Sequence, residues 1–185
     1  MKVLIIAEPD LLNNPMDERL PRLAGAVAPL GTLSLLVAGK ECPATAASIA
    51  AANGITELIW AEREASGPTE WPAEALAAWI VTLAGDFSHI VAEASTFGAT
   101  LLPRVAALLE RPMVTGVQQI CAADTFIRPV LAGNALQTVR VSGQPVCLTL
   151  HTAHFAPLRP IHPAPPVRRR VIKPPLPNPG WSRLL

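Results

Sequence analysis

A chain of 185 residues, half of them hydrophobic and 16% charged, can bury one core and is not disordered throughout. Its formal charge of +1 offers little hold on nucleic acid or on an acidic membrane surface. The short apolar opening is broken by Glu8 and Pro9, and no apolar run approaches the roughly 20 residues of a membrane span, so membrane insertion is not expected and a cytoplasmic setting is.

Lys2 to Glu8 reads as a buried strand, because Val3, Leu4, Ile5 and Ile6 are contiguous and apolar. The stretch from Asn13 to Pro29 predicts an imperfect helix, shortened or kinked by Pro21. Leu33 to Ala38 is a second strand, followed by an alanine-rich helix over Pro43 to Asn53 that Gly54 can end. Glu57 to Ala61 is a third strand. Pro72 to Gly85 is a helix with Leu76, Ile80 and Leu83 on one stripe and Gly85 as its stop. Ser88 to Ala92 is a fourth strand. Thr96 to Glu110 is a helix with Leu101, Val105 and Leu108 on one face, and Pro103 inside it predicts a kink or a late start. Strand and helix alternate four times, which means a parallel sheet flanked by helices and joined by right-handed crossovers.

After Pro112 the runs Val114–Ile120, Thr125–Leu131, Leu136–Val141 and Val146–Leu150 are short and β-prone, with turn signals at Gly133-Asn134 and Ser142-Gly143. The expectation is an α/β body ending in a small antiparallel element. From Pro157 onward nine of 29 residues are proline, and Arg168–Arg170 is a basic run. Residues 156–185 therefore read as a flexible or polyproline-like tail after a domain over 1–155. Cys42, Cys121 and Cys147 are widely spaced with no C-x-x-C pair, so buried thiols are expected rather than a disulfide framework or zinc site.

Two stretches are more specific than their composition: Ser95-Thr96-Phe97-Gly98-Ala99-Thr100-Leu101-Leu102-Pro103-Arg104-Val105-Ala106, and Asp124-Thr125-Phe126-Ile127-Arg128-Pro129-Val130-Leu131-Ala132-Gly133-Asn134-Ala135. Together with Val3-Leu4-Ile5-Ile6-Ala7-Glu8, they resemble the alpha subunit of electron transfer flavoproteins over about residues 1 to 155. The resemblance implies a parallel sheet sandwiched by helices, related to the Rossmann-like, adenine nucleotide alpha hydrolase-like domains. It implies a non-catalytic half of a base shared with a beta subunit, which keeps an AMP. A second alpha domain carries FAD in that family. The glycine-rich turn that should open this second domain has no counterpart before Leu185. FAD is therefore expected only in an assembled complex, with a separate FAD-domain chain as a second candidate partner, and no flavin-contacting residue carries over. His151 stands where the family usually has Arg.

The candidate partner-interface residues are Phe126, Arg128, Pro129, Gly133 and Asn134. Arg128 could fork onto a partner carboxylate, or pair locally with Asp124 while Asn134 shapes the turn at positive φ. Ser95, Thr96 and Gly98 join a strand to a helix, where backbone N–H groups could hold an anion or where Ser95 or Thr96 simply caps. His151 and His154 fall on opposite faces of a strand, a poor metal pair. Trp60, Trp71 and Trp79 suit packing, with an interface anchor as the other use. No nucleophile–base constellation, G-x-G-x-x-G or P-loop is present. The readings left open are the beta-pairing scaffold, an independent AMP- or ATP-binding module, and a truncated alpha subunit without function.

Overall fold

The computed structural model describes residues 1–12, 17–39, 46–62, 72–159 and 167–172. The expectations for Pro15, Cys42, Pro43, Trp71 and much of the proline-rich tail fall outside these residues. The order is β1 (Lys2–Ala7), α1 (Arg19–Val27), β2 (Thr32–Gly39), α2 (Ala46–Ala52), β3 (Ile55–Glu62), α3 (Ala73–Leu83), β4 (His89–Glu93), α4 (Thr96–Leu109), β5 (Met113–Val117), β6 (Gln119–Ala122), β7 (Thr125–Val130), β8 (Ala135–Arg140), β9 (Val146–Leu150) and β10 (Arg168–Ile172). Seven strands form one parallel sheet in the order β10-β3-β2-β1-β4-β9-β5, and β6-β7-β8 form a separate antiparallel sheet. The α/β class, the parallel sheet and the small antiparallel element are as the sequence leads one to expect.

The contiguous apolar strands follow from burial on both faces. Successive side chains of a strand point to opposite sides. Val3, Ile5, Leu35, Val37, Leu58 and Trp60 therefore pack with Leu20, Leu23 and Val27 of α1 and with Ala46 and Ala50 of α2. Leu4, Ile6, Leu36, Ile59 and Ile90 pack with Leu76 and Ile80 of α3 and with Leu101 and Val105 of α4. The α4 stripe stops early, because Leu108 is exposed.

Local chemistry adjusts several boundaries. α1 is shorter than Asn13–Pro29 and holds Pro21 in its first turn without a kink: as the third helical residue it has no intrahelical N–H partner to lose. Gly85 lies in a 3-10 turn over Ala84–Asp86 instead of at the stop of α3. The helix α4 starts at Thr96 and continues through Pro103.

Two expectations are corrected. Val146–Leu150 and the first half of Val114–Ile120 are not in the antiparallel element; as β9 and β5 they join the parallel sheet beside β4. Every residue of β9 is buried, which suits a strand covered on both faces and not a half-exposed hairpin. The expected tail also contains β10, whose Arg168–Ile172 pair in parallel with Glu57–Ala61 of β3. Proline density misled here, because the five residues from Arg168 to Ile172 contain no proline and keep every N–H for an edge ladder.

His89 ties the two sheets together. It opens β4, is buried, and its Nε2 lies 2.7 Å from the Ala123 carbonyl in the turn between β6 and β7. That contact requires the proton on Nε2, because a carbonyl only accepts. Its Nδ1 lies 2.9 Å from Ser88 Oγ, which is also 3.0 Å from the Lys2 carbonyl. Burial pushes the imidazole below its ordinary pKa, against the pull of the Ala123 carbonyl, and the positive N-terminus adds to the depression. An unfolded chain therefore binds more protons than the folded one as pH falls below about 6.5, and stability falls with pH in that window. Urea midpoints at pH 7.5 and 5.5 should show a loss in the native chain that His89→Gln largely removes. An equal loss in both would detach it from His89.

Candidate functional site

The strand order reverses between β1 and β4: β2 and β3 lie to one side, β4 and β9 to the other. The loops leaving β1 and β4 part there, and open α/β sheets bind ligands in the crevice so formed. Glu8 follows β1, Glu93 ends β4, and Ser95 caps α4.

The side chains at that crevice bond to one another. Ser95 Oγ donates to Glu8 Oε1 at 2.7 Å and accepts from the Gly98 N–H at 3.2 Å. Thr152 Oγ1 donates to Glu93 Oε1 at 2.8 Å, and Arg19 Nη1 lies 3.6 Å from Glu93 Oε2. Arg19 Nη2 also bonds Asp17 at 2.6 Å and Asp10 at 2.8 Å. The hydrogen bond from Arg19 holds the Asp17 carboxyl below the usual carboxylate range, and the same contacts raise the guanidinium's own pKa. Asp10, Asp17 and Glu93 thus face one guanidinium.

This arrangement bears directly on Ser95, Thr96 and Gly98. Ser95 caps the helix, and its hydroxyl proton is committed to Glu8. A carboxylate beside a helix N-terminus interacts favourably with that end and repels a second anion. Thr96 is exposed, and its carbonyl accepts from Thr100 Oγ1 at 2.8 Å. Gly98 serves close packing: a Cβ there would stand 1.9 Å from the Glu93 carbonyl oxygen. The roles of Glu93, Arg19 and Thr152 were missed in the sequence. The available signal was an acidic residue at the carboxyl end of the first and of the fourth strand.

The second group of candidates is split by the fold. Phe126 is fully buried, its ring edge-on to His89 with centroids 6.5 Å apart. Gly133 and Asn134 lie on the exposed tip between β7 and β8, beside exposed Leu131 and Leu136. Leu131, Ala132 and Gly133 all have positive φ, at 52°, 55° and 88°. Asn134 does not shape the turn through positive φ, as its φ is −77°. The local pairing of Asp124 with Arg128 is also absent. Asp124 instead takes Arg140 at 2.7 Å, because the β7–β8 register sets Arg140 opposite Thr125. Arg128 and Pro129 line a cleft with Thr149 and His151.

The remaining candidates sort into packing and surface. Trp60 and Trp79 are buried. Cys147 is buried, which pushes its thiol up to about 12, whereas Cys121 is exposed. His151 and His154 are not on opposite faces of one strand: β9 stops at Leu150, and both rings sit on the following turn with centroids 6.4 Å apart. No described helix is long and apolar enough to cross a membrane.

The electron transfer flavoprotein domain family matches residues 3–175. The electron transfer flavoprotein subunit alpha of Paracoccus denitrificans is 38% identical over 156 residues, covering 84% of this chain and 49% of that protein. Its counterpart in Pseudomonas aeruginosa is 36% identical over 157 residues, with the same two coverages. The mitochondrial alpha subunit of Arabidopsis thaliana is 38% identical over 142 residues, covering 75% of this chain and 39% of that protein. The chain spans about half the length of the curated relatives it matches. It belongs to the electron transfer flavoprotein family and corresponds to the N-terminal domain of the alpha subunits.

Proposed function

We propose that this domain is a non-catalytic scaffold of an electron transfer flavoprotein, pairing with a beta subunit while FAD is carried outside the domain. The observation that carries the reading is the carboxylate-lined crevice at the β1–β4 switch point. A flavin or adenine nucleotide brings a phosphate or pyrophosphate, which needs backbone or cationic donors. Here Glu8 holds the hydroxyl of the α4 cap Ser95, and the neighbouring strand β4 ends on a second carboxylate, Glu93. The described residues do not fit the phosphates of FAD or AMP, so no flavin position is assigned to this chain. In such systems the flavin performs the redox step and protein supplies position and electrostatics.

Contribution through surface remains, and the tip of the β7–β8 hairpin is its first candidate. Leu131 and Leu136 are 75% and 66% exposed there, flanking Gly133 and Asn134. Apolar groups in water at a hairpin tip suit burial against a companion chain. An obligate pairing of this kind buries more than about 2,000 Å². The cytoplasm is the compartment proposed for the pair.

Co-expression with an electron transfer flavoprotein beta subunit should give a stable heterodimer by size-exclusion chromatography with light scattering. Recovery of separate monomers would sink the reading. The domain purified alone should carry no stoichiometric flavin absorbance, and calorimetry with AMP and ATP should give no binding heat. Tightly held FAD on the isolated chain, or nucleotide binding at the switch point, would overturn it.

A further inference from the structure

A different place in the fold carries an unfilled chemical demand. Arg128 lies in the middle of β7, opposite Gln137, and its guanidinium is partly buried. Its Nε is fully buried and has no hydrogen-bond partner. None of the described ion pairs includes Arg128, whereas Arg19, Arg22, Arg104 and Arg140 each have a carboxylate. A guanidinium has five N–H donors, and a buried donor without an acceptor costs about 1–3 kcal/mol. Such a group in a native fold calls for a partner.

The surroundings of Arg128 provide more donors and no acid. It lines a cleft of about 330 Å³ with Thr115, Gly116, Thr149 and His151, and no described Asp or Glu shares that lining. Thr149 Oγ1 accepts from the Gly116 N–H at 2.9 Å, so its own proton remains to be given. Gly116 has φ of +66°, and a Cβ on it would stand 3.1 Å from His151 Nε2; the missing side chain leaves room for the imidazole. The remaining walls, Ala94, Ala99, Pro103, Met113 and Pro129, are apolar or nearly so.

The cleft runs along β5, from Met113 to Gly116, beside Thr149 of β9, and His151 just after β9 closes one end of it. A volume near the lower end of small-molecule sites, with apolar walls and a few convergent donors, suits a small amphiphilic molecule.

We propose that this cleft is a binding site for a small organic carboxylate, its oxygens taken by Arg128, Thr149 and His151 and its short apolar portion laid against Pro103, Met113 and Pro129. A carboxylate accepts two N–H bonds from one guanidinium in a fork, which no neutral ligand reproduces. The site is separate from the carboxylate-lined switch point, and its test does not depend on pairing with a beta subunit.

Propionate and its neutral isostere propionamide are titrated at constant ionic strength into the 15N-labelled chain. The amide signals of Gly116, Thr149 and His151 should move saturably with propionate and not with propionamide. Arg128→Met should weaken propionate by about 10–100-fold, the loss of a charge-assisted bond of 1.5–3 kcal/mol. No saturable shift with propionate overturns the proposal, and so does equal response to propionamide. The wild-type comparison decides even if the Arg128 variant folds poorly. With a folded variant, unchanged propionate affinity overturns it as well.

Discussion

Gly98→Ala should lower the stability of this domain by about 3 kcal/mol, although alanine is the better helix former. At an exposed helical position the exchange gains about 0.8–1.0 kcal/mol through propensity. Gly98 is the third residue of α4, and the added Cβ would lie 1.9 Å from the Glu93 carbonyl oxygen and 3.2 Å from its carbon. Both atoms belong to backbone, so no side-chain rotation relieves the contact. Glu93 pairs with Leu150 of β9, accepts from Thr152 and lies beside Arg19. Moving its carbonyl would therefore disturb the central sheet and the carboxylate-lined crevice together. Gly85→Ala is the control: nothing lies within 4 Å of its Cβ, and its φ is not positive. That exchange should be neutral or stabilise by up to about 1 kcal/mol. Thermal melts of the two variants should move in opposite directions or differ by several degrees; equal behaviour would refute the close-approach account.

The repeating part of the fold was legible because periodicity and punctuation agree there. Val3–Ile6 and Ile90–Ala92 are unbroken apolar runs, and Leu76, Ile80, Leu101 and Val105 keep helical spacing, so each element announces both its type and its burial. Legibility fails where two patterns look alike. Val146–Leu150 has the length and β-propensity of a hairpin strand, and only burial on both faces marks it as part of the parallel sheet. Arg168–Ile172 hides among prolines, and its partner β3 lies more than 100 residues earlier in the chain. No local rule reports such a pairing.

The site was less legible than the fold. The strand-to-helix junction at Ser95–Gly98 was visible as a candidate anion site, but what faces it comes from Glu8, 87 residues before Ser95. A sequence shows that a helix N-terminus exists; it does not show that a carboxylate from a distant loop already holds its capping hydroxyl. The cleft at Arg128 has the same origin. Its lining comes from β5, β7, β9 and α4, brought together by a sheet order that departs from chain order.

Phe126→Ala is the sharpest test of how the hairpin divides between core and surface. The Asp124–Ala135 motif offered Phe126 and Asn134 as one interface, yet the ring of Phe126 is fully buried and packs in the core that holds Val3 and Ile5. Truncating a buried phenylalanine costs about 3–5 kcal/mol, which lowers the melting temperature of a domain this size by roughly 6–20 °C. The ring also lies edge-on to His89, which holds the Ala123 carbonyl at the turn between β6 and β7. Its loss should loosen the antiparallel sheet first, so amide exchange of β6 to β8 should rise more than that of β1 and β4. Phe126→Leu nearly conserves volume and should lose less than about 1.5 kcal/mol. Leu136→Ala and Asn134→Ala, at the exposed tip, should change the stability of the isolated chain by no more than about 0.5 kcal/mol. Their effect, on the scaffold reading, is to weaken the beta-subunit pairing. Should Phe126→Ala leave the melting temperature of the isolated chain untouched and act only on that pairing, Phe126 would be an interface residue and its burial in this core would be refuted.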